Sequence, residues 1–413
     1  MLFLSLANIS QHMNEILGLQ PRAVFLLIFA ALVGIVLFID RKKVNRHFIF
    51  FYRRTRRGIR YIDQIARAAP QLWRAYGWGS FGLSFLSIVG SLGVIIYTFY
   101  TMFQTQSLSQ GPSLVLPGTG AEPEFQAGIS FIPAEYWVIG IAVLMFVHEM
   151  SHGIVARAEG IEVSSVGWFV MGIIPGAFVE PKGEKMMPGG EDLKSVVPGI
   201  KVDDASWKSK IKVFGAGSLA NYITGAAFVL LATGLVGAVS TNSEVYYNAQ
   251  DGLPAAQAGM DNGTLKQINN VTINDVTDLQ RASDQLEINQ TVDVWTSEGN
   301  FTMIAGENPD GDGGYIGILV GQRQILKEQY EPNRGFLLWF VTLLNMVGLL
   351  NILIGIFNML PAKPLDGGLI VETLIQEFSD EKNVKYLDQF STLIWIVMLG
   401  TVVVAIAFGG GGV

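Results

Sequence analysis

The chain has 413 residues, 50% of them hydrophobic and only 15% charged, with net charge −7 and mean hydropathy +0.38. These values exclude an ordinary soluble domain or a disordered chain and indicate a polytopic membrane protein. There is no cysteine, so disulfides and thiolate metal sites are excluded, and any zinc must be held by His, Asp or Glu.

Apolar runs of about 20 residues predict spanning helices at roughly 21–39, 81–103, 136–158, 212–239, 336–357 and 388–408. The first lacks a small-residue cleavage site and is long for a signal peptide, so it is expected to remain as a span. Behind it comes a basic loop carrying Arg41, Lys42, Lys43, Arg46, Arg53, Arg54, Arg56, Arg57, Arg60, Arg67 and Arg74. Such a loop belongs on the cytoplasmic side. Anionic lipid is its commoner partner, and no nucleic-acid partner is expected. The loop at 104–132 has no Lys or Arg. Alternation puts 104–132 and 240–335 outside and 159–211 inside. The N-x-[ST] sequons at Asn8, Asn262, Asn270, Asn289 and Asn300 all fall in segments assigned outside.

The third span contains His148-Glu149-Met150-Ser151-His152. Ionisable side chains are expensive within an apolar run and mark function there. Residues i and i+4 share a helix face, so His148 and His152 can grip one zinc ion, and Glu149 can take a proton from water at that ion. In soluble helices the five-residue pattern is often fortuitous, and membrane burial is what favours ligation here. His12 and His47, the remaining histidines, are expected at solvated positions. The broken apolar stretch Val163 to Val179 contains Gly172, Pro175 and Gly176, and reads as a β-hairpin or re-entrant segment shielded by protein.

Residues 243–322 are polar, acidic and Gly/Asp-rich, long enough for one small domain. Short strands and turns run from Gly252 to Asn274, followed by a helix near 276–287. This stretch, above all Pro254-Ala-Ala-Gln-Ala-Gly259, resembles a PDZ domain of bacterial envelope proteases. The resemblance implies a peptide groove, with Tyr315, Ile316, Gly317 and Ile318 in the carboxylate-loop strand. A β-rich domain that only filters access to the membrane site is the competing reading.

A catalytic zinc needs a third ligand and an open position. Asp366 is the leading candidate, in Asn358-Met-Leu-Pro-Ala-Lys-Pro-Leu-Asp-Gly-Gly368, where Pro361 and Pro364 stop the preceding helix. Taken alone, the stretch reads first as an ordinary turn with Asp366 capping a helix over 367–378, and His148-Glu149-Met150-Ser151-His152 reverses that balance. Glu180 and Glu184 are rival ligands.

Together these motifs resemble the site-2 protease family of intramembrane zinc metalloproteases. Asn358, Pro361, Asp366 and Gly367 match that family's second motif, although Pro364 is displaced from its place in the pattern. Gly217-Ser-Leu-Ala-Asn221 matches a third element, with Ser218 in place of proline. The resemblance spans roughly 131–408. It implies a zinc endopeptidase that cuts peptide bonds in or near transmembrane segments, with ligands His148, His152 and Asp366 and base Glu149. Asn221 would contact a substrate carbonyl or oxyanion, or else serve as helix–helix glue. The 163–179 segment would hold extended substrate along a strand edge.

The expected fold is a polytopic α-helical membrane protein with about six transmembrane helices, a re-entrant or β-hairpin segment and an inserted PDZ-like α+β domain. Its expected parts are 1–130 (transmembrane pair and basic loop), 131–242 (first half of the protease core), 243–322 (PDZ-like domain) and 323–413 (second half). Expected partners are transmembrane protein substrates, the lipid bilayer and a peptide for the PDZ-like domain. The expected place is a prokaryotic cell membrane, with the site in its cytoplasmic half: His148 lies about 10 residues, or roughly 15 Å, from the helix end. A non-enzymatic receptor is the alternative from another class, and the presence of Glu149, which zinc ligation does not need, argues against it.

Overall fold

The structure, a computed structural model, describes residues 21–47, 50–171, 174–183, 196–308 and 313–408. Asn8, His12 and Glu184 lie outside the described residues. Among the described residues, six helices are long and apolar enough to cross a membrane. The chain divides into two compact units, Met1–Val229 with Leu343–Val413, and Leu230–Thr342.

In the larger unit, α1 (Pro21–Ile39) is followed by strands β1 (Asn45–His47) and β2 (Phe50–Thr55) and by α2 (Ile59–Ala68). The basic segment is therefore folded, not a loop as its charge suggested. The aromatic run Phe50-Phe51-Tyr52 favours a strand: Tyr52 is buried against Phe178, while Arg53 and Arg54 reach acidic partners. The long α3 (Pro70–Thr105) starts well before the expected span, with Pro70 at its first turn. It carries a buried stripe of Gly77, Ser80, Ser84 and Ser91. A small sheet follows, β3 (Leu114–Gly118), β4 (Glu124–Gln126) and β5 (Ile129–Pro133), in the order β3-β5-β4, and β5 leads straight into α4 (Ala134–Ala158).

The 163–179 segment is a hairpin, β6 (Val163–Met171) and β7 (Ile174–Pro181), in register Val166↔Val179. It does not stand alone. β2 pairs antiparallel with β6, giving a four-stranded sheet in the order β1-β2-β6-β7. The next spanning helix, α5 (Trp207–Val239), runs from this unit into the smaller one. Outward-facing apolar residues such as Leu27, Leu86 and Val403 are more than half exposed, as suits helices solvated by lipid tails.

The smaller unit holds β8 (Ser240–Ala249), α6 (Pro254–Gln257), β9 (Asn262–Ile268), β10 (Val271–Thr272) and α7 (Val276–Ser283). It continues through β11 (Thr291–Thr296), β12 (Asn300–Ile304), β13 (Gly306–Glu307), β14 (Gly314–Tyr315) and β15 (Ile318–Leu326). The main sheet runs β12-β11-β9-β8-β15 and packs Val245, Tyr247, Leu265, Ile268, Val292 and Val294 against Leu279 and Ala282 of α7. Asp275 caps α7 by accepting from the Asp278 N–H at 2.9 Å. The helix ends at Ser283, short of the expected 287, because Leu286 turns into the core.

The spanning helix α8 (Arg334–Asn358) returns the chain to the larger unit. It is followed by α9 (Asp366–Phe378) and α10 (Val384–Phe408).

Candidate active site

α4 carries His148, Glu149 and His152 on its buried side, each less than one-tenth exposed. The two Nε2 atoms lie 3.0 Å apart. Asp366 Oδ2 is 3.3 Å from His148 Nε2 and 3.5 Å from His152 Nε2. Among the described residues this is the one group of three His or carboxylate side chains set to share a metal.

The geometry fits zinc. A tetrahedral ion at about 2.0 Å from each donor holds its ligands roughly 3.3 Å apart. Asp366 Oδ2 is buried and has no hydrogen-bond partner, which is costly for a carboxylate oxygen unless a cation sits there. The imidazoles are oriented from behind. His152 Nδ1 donates to Val213 O at 2.7 Å, which turns Nε2 toward the other donors as the ligating nitrogen. His148 Nδ1 faces the side-chain amide of Asn221 at 3.2 Å. Asn221 is fully buried and its Oδ1 has no partner. A half-turn of the amide lets Oδ1 accept the His148 Nδ1 proton and frees Nε2 in the same way.

Asp366 is not the cap of its helix. Leu365 occupies that position, and the Asp366 carboxylate turns to the histidines. The turn before it is held at several points. Ser91 Oγ on α3 donates to Met359 O at 3.1 Å, Ser391 Oγ accepts from Lys363 N–H at 2.9 Å, and Trp395 Nε1 donates to Lys363 O at 2.9 Å. Lys363 pairs with Glu372 and Asp388, tying the turn to α9 and α10. At Gly367 a side chain would run into the Met359 and Leu360 carbonyls, so backbone approaches backbone here.

Glu149 Oε2 accepts from Val179 N–H of β7 at 2.8 Å. β7 is the outer strand of its sheet, so the carboxylate lies against that strand's free edge. The rival ligand Glu180 is engaged elsewhere: Arg54 Nη2 donates to it at 2.9 Å and Ser165 Oγ at 2.8 Å, and it does not join the metal cluster.

Several residues that shape the histidine pocket had no role there assigned from the sequence. A β-carbon on Gly217 of α5 would fall 2.6 Å from His148 Cε1 and 2.7 Å from His148 Nδ1, so only glycine leaves room for the imidazoles. The sequence offered Gly217 only as the first residue of the Gly217-Ser-Leu-Ala-Asn221 element. Tyr76 OH on α3 donates to Ala216 O at 2.8 Å, next to that glycine. Ser80 Oγ on α3 donates to Lys212 O at 2.8 Å. The second span, which lay outside the resembling region, thus clamps both the histidine pocket and the Asp366 turn. Its buried serine stripe was the available signal. Gly225 of α5 abuts Gly348 of α8.

In the smaller unit, Tyr315 OH donates to Gln250 Oε1 at 2.5 Å. Ile316 O accepts from Ala255 N–H at 2.8 Å and Gly317 O from Gln250 N–H at 2.9 Å. The Ile316 side chain is buried in the unit's core, so only its backbone can reach a ligand. Gly317 has φ +77°, and a side chain there would strike Leu253. Ile318 begins β15, an edge strand paired with β8.

Comparison with known proteins agrees with this geometry. The chain shares 24% identity over 400 residues with an uncharacterized protein of Methanocaldococcus jannaschii, covering 91% of this chain and 96% of the relative. The family model of peptidase family M50 matches residues 136–402, which contain His148, Glu149, His152, Asn221 and Asp366. The chain belongs to peptidase family M50, the site-2 protease family of membrane metalloproteases.

Proposed function

We propose that this protein hydrolyses peptide bonds within or next to transmembrane segments of membrane-protein substrates, as in regulated intramembrane proteolysis. The observation that carries the reading is the convergence of His148 Nε2, His152 Nε2 and Asp366 Oδ2 beside the Glu149 carboxylate. These three side chains would hold zinc, which supplies Lewis acidity to the scissile carbonyl and to the attacking water. Glu149 takes the proton from that water and passes it to the departing amine. With Oε2 anchored by Val179 N–H, Oε1 is left for the water. Asn221, with Oδ1 turned to His148, keeps its NH2 free to donate to the substrate carbonyl. A substrate helix must unwind to expose that carbonyl, and the free edge of β7 offers an extended segment backbone partners beside Glu149.

Residues 243–322 serve in this reading as a PDZ-like module that captures a peptide end at Tyr315, Ile316, Gly317 and Ile318. It lies outside the cell, with the active site in the cytoplasmic half of a prokaryotic membrane. The basic residues at 41–74 and the sequons at Asn262, Asn270, Asn289 and Asn300 support that orientation.

The test uses full-length protein in detergent with a panel of single-span substrates. Wild type, Glu149→Gln and chelator-treated protein are compared, and cuts are mapped by mass spectrometry. A cut inside the apolar segment, lost in both controls, is expected. No cut by zinc-loaded wild type, with peptide still captured by the 243–322 module, would favour a receptor.

A further inference from the structure

The segment 41–74 has two different sides. On its inner side, Ile59, Ile62, Asp63 and Ala66 of α2 are buried. Ile62 packs on Gly153, the residue after His152, where an added β-carbon would lie 3.2 Å from Ile62 Cδ1. Asp63 accepts from Arg157 Nε at 3.0 Å, at the last turn of the same metal-bearing helix. β2 pairs with β6 and so braces the hairpin that anchors Glu149.

The outer side is basic and apolar together. Arg53, Arg54 and Arg67 are paired with Asp40, Glu180 and Asp63. Lys42, Lys43, Arg57, Arg60 and Arg74 are exposed and have no acidic partner among the described residues. Ile39, three residues before Lys42, Tyr61, next to Arg60, and Leu72, two residues before Arg74, are 73%, 69% and 60% exposed. The chain leaves α1 at Ile39 and enters α3 at Pro70, so this segment joins one end of each of two helices long and apolar enough to span a membrane. Water would match the cations but not the apolar side chains, and lipid tails the reverse. A headgroup layer carrying negative charge matches both.

We propose that the outer face of residues 41–74 binds the headgroups of anionic phospholipids, and that this contact sets α4 and the β6–β7 hairpin in their working position. The coupling to catalysis rests on the protease reading above; the lipid site does not.

The test reconstitutes the full chain in phosphatidylcholine vesicles with or without phosphatidylglycerol. Wild type is compared with a variant carrying Lys42→Gln, Lys43→Gln, Arg57→Gln, Arg60→Gln and Arg74→Gln. Enrichment of spin-labelled phosphatidylglycerol over spin-labelled phosphatidylcholine reads the site. Each cation near a charged surface is worth about 5-fold. Wild type should therefore enrich the anionic lipid several-fold, falling as salt is raised, and the variant should not. Deuterium uptake across residues 153–162 reads the coupling without substrate, and should slow in anionic vesicles for wild type only. Cleavage should rise several-fold under the same conditions. Equal enrichment by both proteins, or none, overturns the lipid site. Enrichment lost in the variant while uptake responds equally in both proteins overturns the coupling. Absence of cleavage in every vesicle counts against the protease reading alone, because enrichment and exchange are measured without substrate.

Discussion

Adding one methyl group at Gly217 should disable the enzyme while leaving its fold intact. The new β-carbon would lie 2.6 Å from His148 Cε1, and the ring must retreat by roughly 0.8 Å to reach ordinary van der Waals contact. Zinc–ligand distances tolerate only about 0.2 Å. The ring cannot simply rotate away, because Asn221 faces its Nδ1 from α5, and His152 is fixed by Val213 O on the same helix. Displaced ligands should weaken zinc by about 10–100-fold, by analogy with loss of an orienting partner. A misplacement near 1 Å costs about 100-fold in rate. Helix propensity acts in the opposite direction, since alanine favours a helix over glycine by about 1 kcal/mol. Loss of function therefore cannot be put down to a weakened α5. The assay is zinc content of purified Gly217→Ala by elemental analysis, with thermal unfolding and cleavage of a single-span substrate alongside. Gly82→Ala on α3, where a β-carbon meets nothing within 4 Å, is the control and should behave as wild type. Full zinc and wild-type cleavage in Gly217→Ala would refute the packing argument.

The other predictions concern the donors around the metal. Asp366→Ala should purify without stoichiometric zinc. Glu180→Gln should keep its zinc but lose stability, by about 1.5–3 kcal/mol, because the charged acceptor of the Arg54 hydrogen bond becomes neutral; zinc analysis and thermal unfolding separate the two. Glu149→Gln retains an acceptor for Val179 N–H, so zinc and melting temperature should stay near wild type while the single-turnover rate falls by about 10²–10⁴-fold. Asn221→Ala should reduce zinc affinity by about 10–100-fold in a chelator competition, and Asn221→Asp, which keeps an acceptor for His148, should restore it. Removing zinc with a chelator should abolish cleavage, and adding it back should restore it.

The sequence by itself determined the membrane class, the spans and the histidine pair, because each depends on local spacing. A run of apolar residues declares a span wherever it lies, and positions 148 and 152 share a helix face in any helix. Asp366 was visible as a candidate, although its own stretch favoured a helix cap and only the distant histidine motif favoured a ligand. Only the tertiary structure shows Oδ2 turned to two imidazoles contributed by a distant helix, with Leu365 at the cap position. The same holds for Glu180, which is settled by Arg54, a residue that read as part of a basic loop. Strand pairing of β2 with β6 has no local signature, since a strand does not encode which partner it adds to. Packing of Gly217 against the histidines and of the α3 serines against α5 and the Asp366 turn likewise depends on how helices approach each other. Such contacts join residues far apart in the chain, and composition and periodicity describe only neighbours.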